Sequence, residues 1–185
     1  MRGHPSALIS QSLRNFLKAL LHIVFIFRSD SVVQKILAAI DQSEISKAVF
    51  TQALFFAQAT GAVLHLLHVL SAEEEGSPIT PPPQYPPIDH RVLEDYQKKW
   101  QRFEAERLEQ LQALEQEAVA AGVKAEFTQI SGNPSRLIVE FAKDWGADLI
   151  VVGRRGRSGL KELVLGSVSN YVVHRAHNSV LVVQH

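Results

Sequence analysis

The chain contains no cysteine. Disulfides, thiolate nucleophiles and Cys-based zinc sites are therefore excluded together, and the expected compartment is the cytoplasm. Net charge is lacking too: 19 Lys and Arg offset 19 Asp and Glu among 185 residues, so nothing global favours nucleic acid or an acidic partner. No Gly-x4-Gly-Lys-Ser/Thr run occurs, which removes the lysine clamp that P-loop proteins place on polyphosphate. No Gly-x-Gly-x-x-Gly follows the first strand-like run, which weighs against a dinucleotide-dependent dehydrogenase. No Ser/His/Asp arrangement or placed general base stands near the glycine-rich stretch, so no catalytic residue is assigned. The apolar stretch ahead of Arg28-Ser29-Asp30 is about 15 residues, short of the roughly 20 that a membrane span needs. It also lacks the small-residue cleavage site of a signal peptide.

What is present reads as one domain with a substantial core, since 46% of the chain is hydrophobic. Apolar runs alternate with helical patterns, the mark of a parallel sheet wrapped by helices. The first strand is expected over 34–41 and a helix over 44–60, capped by Gly61. A second strand covers 63–70, and the Glu- and Pro-rich stretch 71–87 can be neither helix nor central strand. A long helix follows over 89–121, with Leu93, Tyr96, Trp100, Phe103, Leu111 and Leu114 on its apolar face. Glu94/Lys98 and Asp95/Lys99 pair on its outer side. The third strand is 123–130. Asn133 is placed to cap the next helix, Pro134 to open it and Trp145 to end it. Strand 148–153, a glycine loop, helix 167–176 and strand 179–184 complete the order, each strand reached by a right-handed crossover.

The chemistry concentrates near the C-terminus. Leu149–Val152 ends in Gly153; Gly156 follows after two residues, and Gly166-Ser167 after nine more. Glycines at a strand exit let backbone approach a ligand where a Cβ would collide. A Gly-Ser pair opening a helix offers free N–H groups, a hydroxyl and the positive end of the dipole, which suit a phosphate. Ser167 is also the expected N-cap. Arg154, Arg155, Arg157 and Lys161 make this loop basic. At the end of the first strand, Asp41 could accept a ribose hydroxyl, help to hold a metal, or cap the helix that follows.

This Gly-x2-Gly-x9-Gly-Ser arrangement resembles the ATP-binding signature of the universal stress protein family. The likeness runs from about residue 33 to residue 185. It implies a single doubly wound, Rossmann-like α/β domain whose five-stranded parallel sheet has the order 3-2-1-4-5. It implies ATP as the ligand, with Mg bound through Asp41 left open. Ala39 and Ile40 would then line adenine or ribose, and Leu64 would present its backbone to the adenine. Gly153, Gly156, Gly166, Ser167 and Val168 would form the phosphate set, with Val152 and Arg155 as further residues of the nucleotide site. The resemblance also implies a homodimer joined at strand 179–184, an edge that invites pairing. The expected function is a nucleotide-dependent switch in stress response. A slow ATP hydrolase or phosphotransferase, and a partner-binding or chaperone module, remain as alternatives.

Two features stand apart from that frame. His65 and His68 on the second strand are read as facing the same side of the sheet, as core histidines rather than a metal pair. Residues 1–32 do not fit the domain. Leu13, Phe16, Leu17, Leu20, Leu21, Val24 and Phe25 fall at helical spacing, so the segment is either an amphipathic helix able to lie on a membrane or a partner, or an over-extended start.

Overall fold

The alternation of apolar and amphipathic segments is realised as a sheet with helices on both faces. The computed structural model describes residues 23–26 (backbone only), 33–74, 76–78, 90–154 and 165–184. The strands are β1 (Ile23–Ile26), β2 (Lys35–Ala39), β3 (Val63–Leu70), β4 (Ala125–Ser131), β5 (Leu149–Gly153) and β6 (Ser179–Val183). The helices are α1 (Ile45–Thr60), α2 (His90–Ala120), α3 (Pro134–Trp145) and α4 (Ser167–Arg175). The sheet order is β1-β6-β5-β2-β3-β4. Strands β2 to β6 are parallel, and their order from the β4 edge is the expected 3-2-1-4-5.

The N-terminal segment departs from expectation. Residues 23–26 are not helical but form a strand antiparallel to β6, with Ile23 opposite Val183 and Ile26 opposite Val180. The helical stripe therefore does not extend through Val24 and Phe25. Its remaining positions, like the Pro-rich run 81–87, lie outside the described residues. Among the described residues no helix is long and apolar enough to cross a membrane.

Local signals set the helix ends. Gly61 adopts φ 71°, and its N–H returns to the Ala57 carbonyl, as a left-handed cap requires. Asn133 Oδ1 accepts the Arg136 N–H at 3.2 Å, with Pro134 at the first helical position. The core divides into two layers. Ile36, Ala38, Leu64, Leu66 and Val151 pack under α1 and α2, against Val49, Phe50 and Leu111. Leu37, Leu67, Ile150, Val180 and Val182 pack under α3 and α4, against Ile138, Ala142 and Val172. At the amino end of the sheet, the Asp148 carboxylate accepts the Gln34 and Lys35 N–H groups at 2.8 and 2.9 Å, tying β2 to β5.

The apolar face of α2 is only partly core. Leu111 is 1% exposed, but Leu93 is 44% exposed. At about 1.5 Å per residue this 31-residue helix is roughly twice as long as the strands it covers, so its first turns overhang them. Asp95 and Lys99 form the expected i,i+4 pair on its outer side at 2.7 Å.

The two histidines do not share a face. Three residues along a strand invert the side-chain direction. His65 packs beneath α3 against Phe141 and Trp145, with ring centroids 4.7 and 5.0 Å away. His68 lies on the other face, where its Nε2 meets Glu74 Oε1 at 3.0 Å. Both are core histidines with hydrogen-bond partners. A neutral His65 donates from Nδ1 to Glu126 Oε1 and accepts from the Thr128 hydroxyl at Nε2, both at 2.9 Å.

Two outcomes follow for stability. Leu111→Ala should cost about 2–5 kcal/mol in urea unfolding, whereas Leu93→Ala should stay within about 0.5 kcal/mol. Burial holds the His65 imidazole below its ordinary 6.5, against the smaller raising effect of Glu126. The folded state therefore binds this proton less readily than the unfolded chain. The stabilisation is complete above pH 6.5 and declines as pH falls from there through the lower folded value. Urea midpoints measured from pH 7 to pH 5 should fall in the parent protein, and less steeply in His65→Gln.

Candidate functional site

Strand β2 is the point where the sheet reverses its order of growth. It pairs with β3 on one side and β5 on the other, and the crossovers that follow lie on opposite faces of the sheet. The connections leaving the carboxyl ends diverge there and open a crevice, where ligands settle in doubly wound sheets. A cavity of about 380 Å³ occupies this place. Its volume lies within the range of small-molecule sites.

Eight of the residues singled out by sequence come together around it: Ala39, Ile40, Asp41, Val152, Gly153, Gly166, Ser167 and Val168. Arg155 and Gly156, with Arg157 and Lys161, lie outside the described residues. Leu64 is misplaced by the sequence reading. It is fully buried opposite Ile36 near the amino end of β3, and the residues that reach the cavity from β3 are Leu67 and Val69. The register explains this: Leu67 is level with Ala39, and Leu64 lies three residues, or about 10 Å, further back.

One end of the cavity is built by the amino terminus of α4. Gly166, not Ser167, is the N-cap, with φ −66° and ψ 162°. Any residue adopts that conformation, so a left-handed backbone does not explain this glycine. The Asn170 N–H closes the first turn onto the Gly166 carbonyl at 2.8 Å. The N–H groups of Ser167, Val168 and Ser169 thus have no partner within the helix, and all three residues line the cavity. Buried Ser169 ties the loop shut, its hydroxyl donating to the Arg154 carbonyl at 2.7 Å. The Gly166 N–H reaches the same carbonyl at 2.8 Å. Arg154 turns its guanidinium away, to Gln184 Oε1 at 3.2 Å.

Gly153 has a packing reason for lacking a side chain. A Cβ there would stand 2.6 Å from Ile45 Cγ2, so helix α1 demands the glycine before any ligand does. Ile45 itself lines the cavity, so this contact also shapes its wall.

The opposite wall is acidic. Asp41 Oδ1 accepts the Ser43 N–H at 2.9 Å and the Ser46 hydroxyl at 2.6 Å, and the Asp41 N–H donates back to Ser46 Oγ at 2.8 Å. The carboxylate organises the turn into α1 rather than capping the helix directly; the cap residue is Glu44, with no side-chain cap bond. Among the described residues no donor reaches Oδ2. Glu73 and Glu74 complete this wall. Glu74 is held by His68 and by Arg107 Nε at 3.3 Å, all three side chains being nearly buried. This cluster fixes the start of the segment after β3. Among the described residues, no group of three His, Asp or Glu side chains could by itself hold a metal ion.

Sequence reasoning passed over other lining residues, among them Leu67, Val69, Ser71, Glu74 and Ser169. The rule that ligands sit beyond strand carboxyl ends would have selected Leu67 and Val69 over Leu64. No comparable signal marks Glu74, whose position depends on Arg107 from a distant helix.

Comparison with known proteins agrees with this geometry. The model of the universal stress protein family matches residues 33–184. Universal stress protein Sll1388 of Synechocystis is 37% identical over 151 residues, covering 82% of this chain and 97% of that protein. Among solved structures, the protein MJ0577 of Methanocaldococcus jannaschii superposes with a TM-score of 0.67 at 27% identity, over 84% of this chain and 98% of that one. A universal stress protein solved in complex with cAMP gives a TM-score of 0.58 at 25% identity, over 83% and 98% of the two chains. With the family model spanning nearly all of the chain beyond residue 32, the protein belongs to the universal stress protein family.

Proposed function

We propose that the cavity binds an adenine nucleotide, ATP in the first instance, and that the protein works as a nucleotide-dependent switch in stress response rather than as a catalyst. One observation carries this reading: amides at the start of α4 that have no partner within their helix line the same cavity as the Asp41 carboxylate, at the sheet's switch point. Helix amides and dipole suit phosphate oxygens, and acceptor oxygens suit ribose hydroxyls. The family member solved with cAMP supports an adenine nucleotide as the ligand class.

Base selection follows from which backbone groups remain available. The Ile40 N–H is taken by the Leu67 carbonyl at 2.9 Å, and the Asp41 N–H by Ser46 Oγ at 2.8 Å. The end of β2 therefore has its donors engaged, and Asp41, Glu73 and Glu74 add only acceptors when ionised. Such a wall can accept from the exocyclic amino group of an adenine placed against it. Gly153, Gly166, Ser167 and Val168 would take the phosphates, joined by Arg155 and Gly156 from the glycine loop. A Mg ion accompanying the phosphates would find Asp41 as its protein ligand, and the phosphates themselves would supply the remaining oxygens. In this reading the protein is cytoplasmic, and two copies join along β6 when that edge is open.

Calorimetry should show ATP binding at least about tenfold more tightly than GTP, a difference of roughly 1.4 kcal/mol. No heat with ATP at millimolar ligand would sink the reading. Gly166→Val tests the phosphate end. The backbone conformation there suits any residue, so the variant should fold, at a cost of about 1 kcal/mol for replacing the N-cap glycine of α4 by valine. Its isopropyl group, standing at the first amides of α4, should weaken ATP binding by at least about tenfold. Normal affinity in a folded Gly166→Val would place the phosphates elsewhere.

A further inference from the structure

The two outer strands of the parallel sheet differ in kind. At one edge β4 carries its own protection against strand pairing. Glu126, half exposed, reaches His65 at 2.9 Å, and Gln129 donates to the Glu104 carbonyl of α2 at 3.1 Å. Charged side chains on an edge strand are a common way to blunt it. At the other, β6 reads Ser-Val-Leu-Val-Val, with every residue buried and no charge in the strand. Half of its backbone groups face away from β5. Such an edge is a template for another strand, and here β1 takes the place, antiparallel over four residue pairs.

The chain path makes this pairing reachable within one molecule. Ile26 lies opposite Val180, Val180 opposite Ile150, and Ile150 opposite Leu37. The antiparallel sense therefore delivers the end of β1 to the amino end of the sheet, where β2 begins. Three strand spacings of about 4.8 Å separate β1 from β2, and the nine residue steps from Ile26 to Lys35 can span about 30 Å. No exchange between chains is needed.

We propose that residues 23–26 guard the β6 edge: while β1 is paired, the chain is monomeric, and its release opens β6 to the same strand of a second copy. A two-fold axis across an edge strand sets that strand against itself in the antiparallel sense, the sense in which β6 already holds β1. An uncharged apolar strand fits its own copy without like-charge repulsion. Loss of β1 therefore exchanges one antiparallel partner for another. The inference rests on the homodimer proposed above and is independent of the nucleotide.

Sedimentation of the full chain at tens of micromolar tests it. The parent chain should run as a monomer, and the full chain carrying Val24→Pro and Phe25→Pro as a discrete dimer. Adjacent residues direct their N–H groups to opposite sides of a strand, so one of the two prolines removes a donor facing β6. A parent chain that is already dimeric overturns the guard while leaving the β6 dimer standing. A proline variant that stays monomeric overturns the guard and the β6 dimer together. A second variant decides the matter should the prolines cause precipitation. Val24 and Val182 are register partners, at a separation that a disulfide can bridge, and the chain has no other cysteine. In the full chain with Val24→Cys and Val182→Cys, oxidation should close the bond within one chain, seen as faster migration on a non-reducing gel. A bond between chains, or none, overturns the proposal.

Discussion

The pairing of β2 with β5 is the constraint on which the rest depends. These strands are more than a hundred residues apart in sequence, yet Ile36, Leu37 and Ala38 lie in register with Leu149, Ile150 and Val151. The Asp148 carboxylate, accepting two backbone amides at the entry to β2, holds that register at one end. At the other end, the crossovers leave on opposite faces and the crevice opens. Asp41 and the amino terminus of α4 face one another only because this pairing brings their strands together. A slip of one residue between β2 and β5 would put Leu37 and Ile150 in different core layers.

The cavity is shaped as much by packing as by polar groups. Gly153 is glycine because α1 lies against it, and the same Ile45 side chain that forbids a Cβ forms part of the cavity wall. His68, Glu74 and Arg107 come from three separate segments, and their buried cluster pins the acidic wall to the sheet and to α2. Removing one member of such a cluster leaves a buried charge without its counterion, which costs more than the pair contributes. The wall is thus an outcome of core formation. Under the proposed reading a ligand there would meet acceptors already held in place, which lowers the ordering cost of binding.

The sheet has solved its edges in two ways. On β4 the polar side chains are turned to internal use, with Glu126 serving His65. On β6 burial of all five side chains leaves no room for charge, and a backbone partner is the remaining means of satisfying the outward groups. The reading of residues 1–32 as foreign to the domain missed this, because a helical stripe and a short strand draw on the same apolar residues. Four residues of strand carry almost no periodic signal of their own.

Much of the fold was legible because its signals are local. The extents of β3, α1 and α3 followed from apolar period, Gly61, Asn133 and Pro134, each acting through backbone geometry within a few residues. Asp41, Gly153 and Gly166-Ser167 were legible as residues that meet around one cavity because they sit at or beyond the carboxyl ends of adjacent strands. Leu64, His65 with His68, and the exposed Leu93 were misjudged. Depth along a strand, the face a side chain takes and the overhang of a long helix depend on what packs alongside. By itself the sequence determined the order of elements, the parallel sheet and the residues at its carboxyl ends, since hydrophobic period and turn chemistry are properties of contiguous residues. Only the tertiary structure decided which β3 residues reach the cavity, why Gly153 must be glycine and which strand covers β6. Those are pairings between residues far apart in the chain, and no local pattern encodes them.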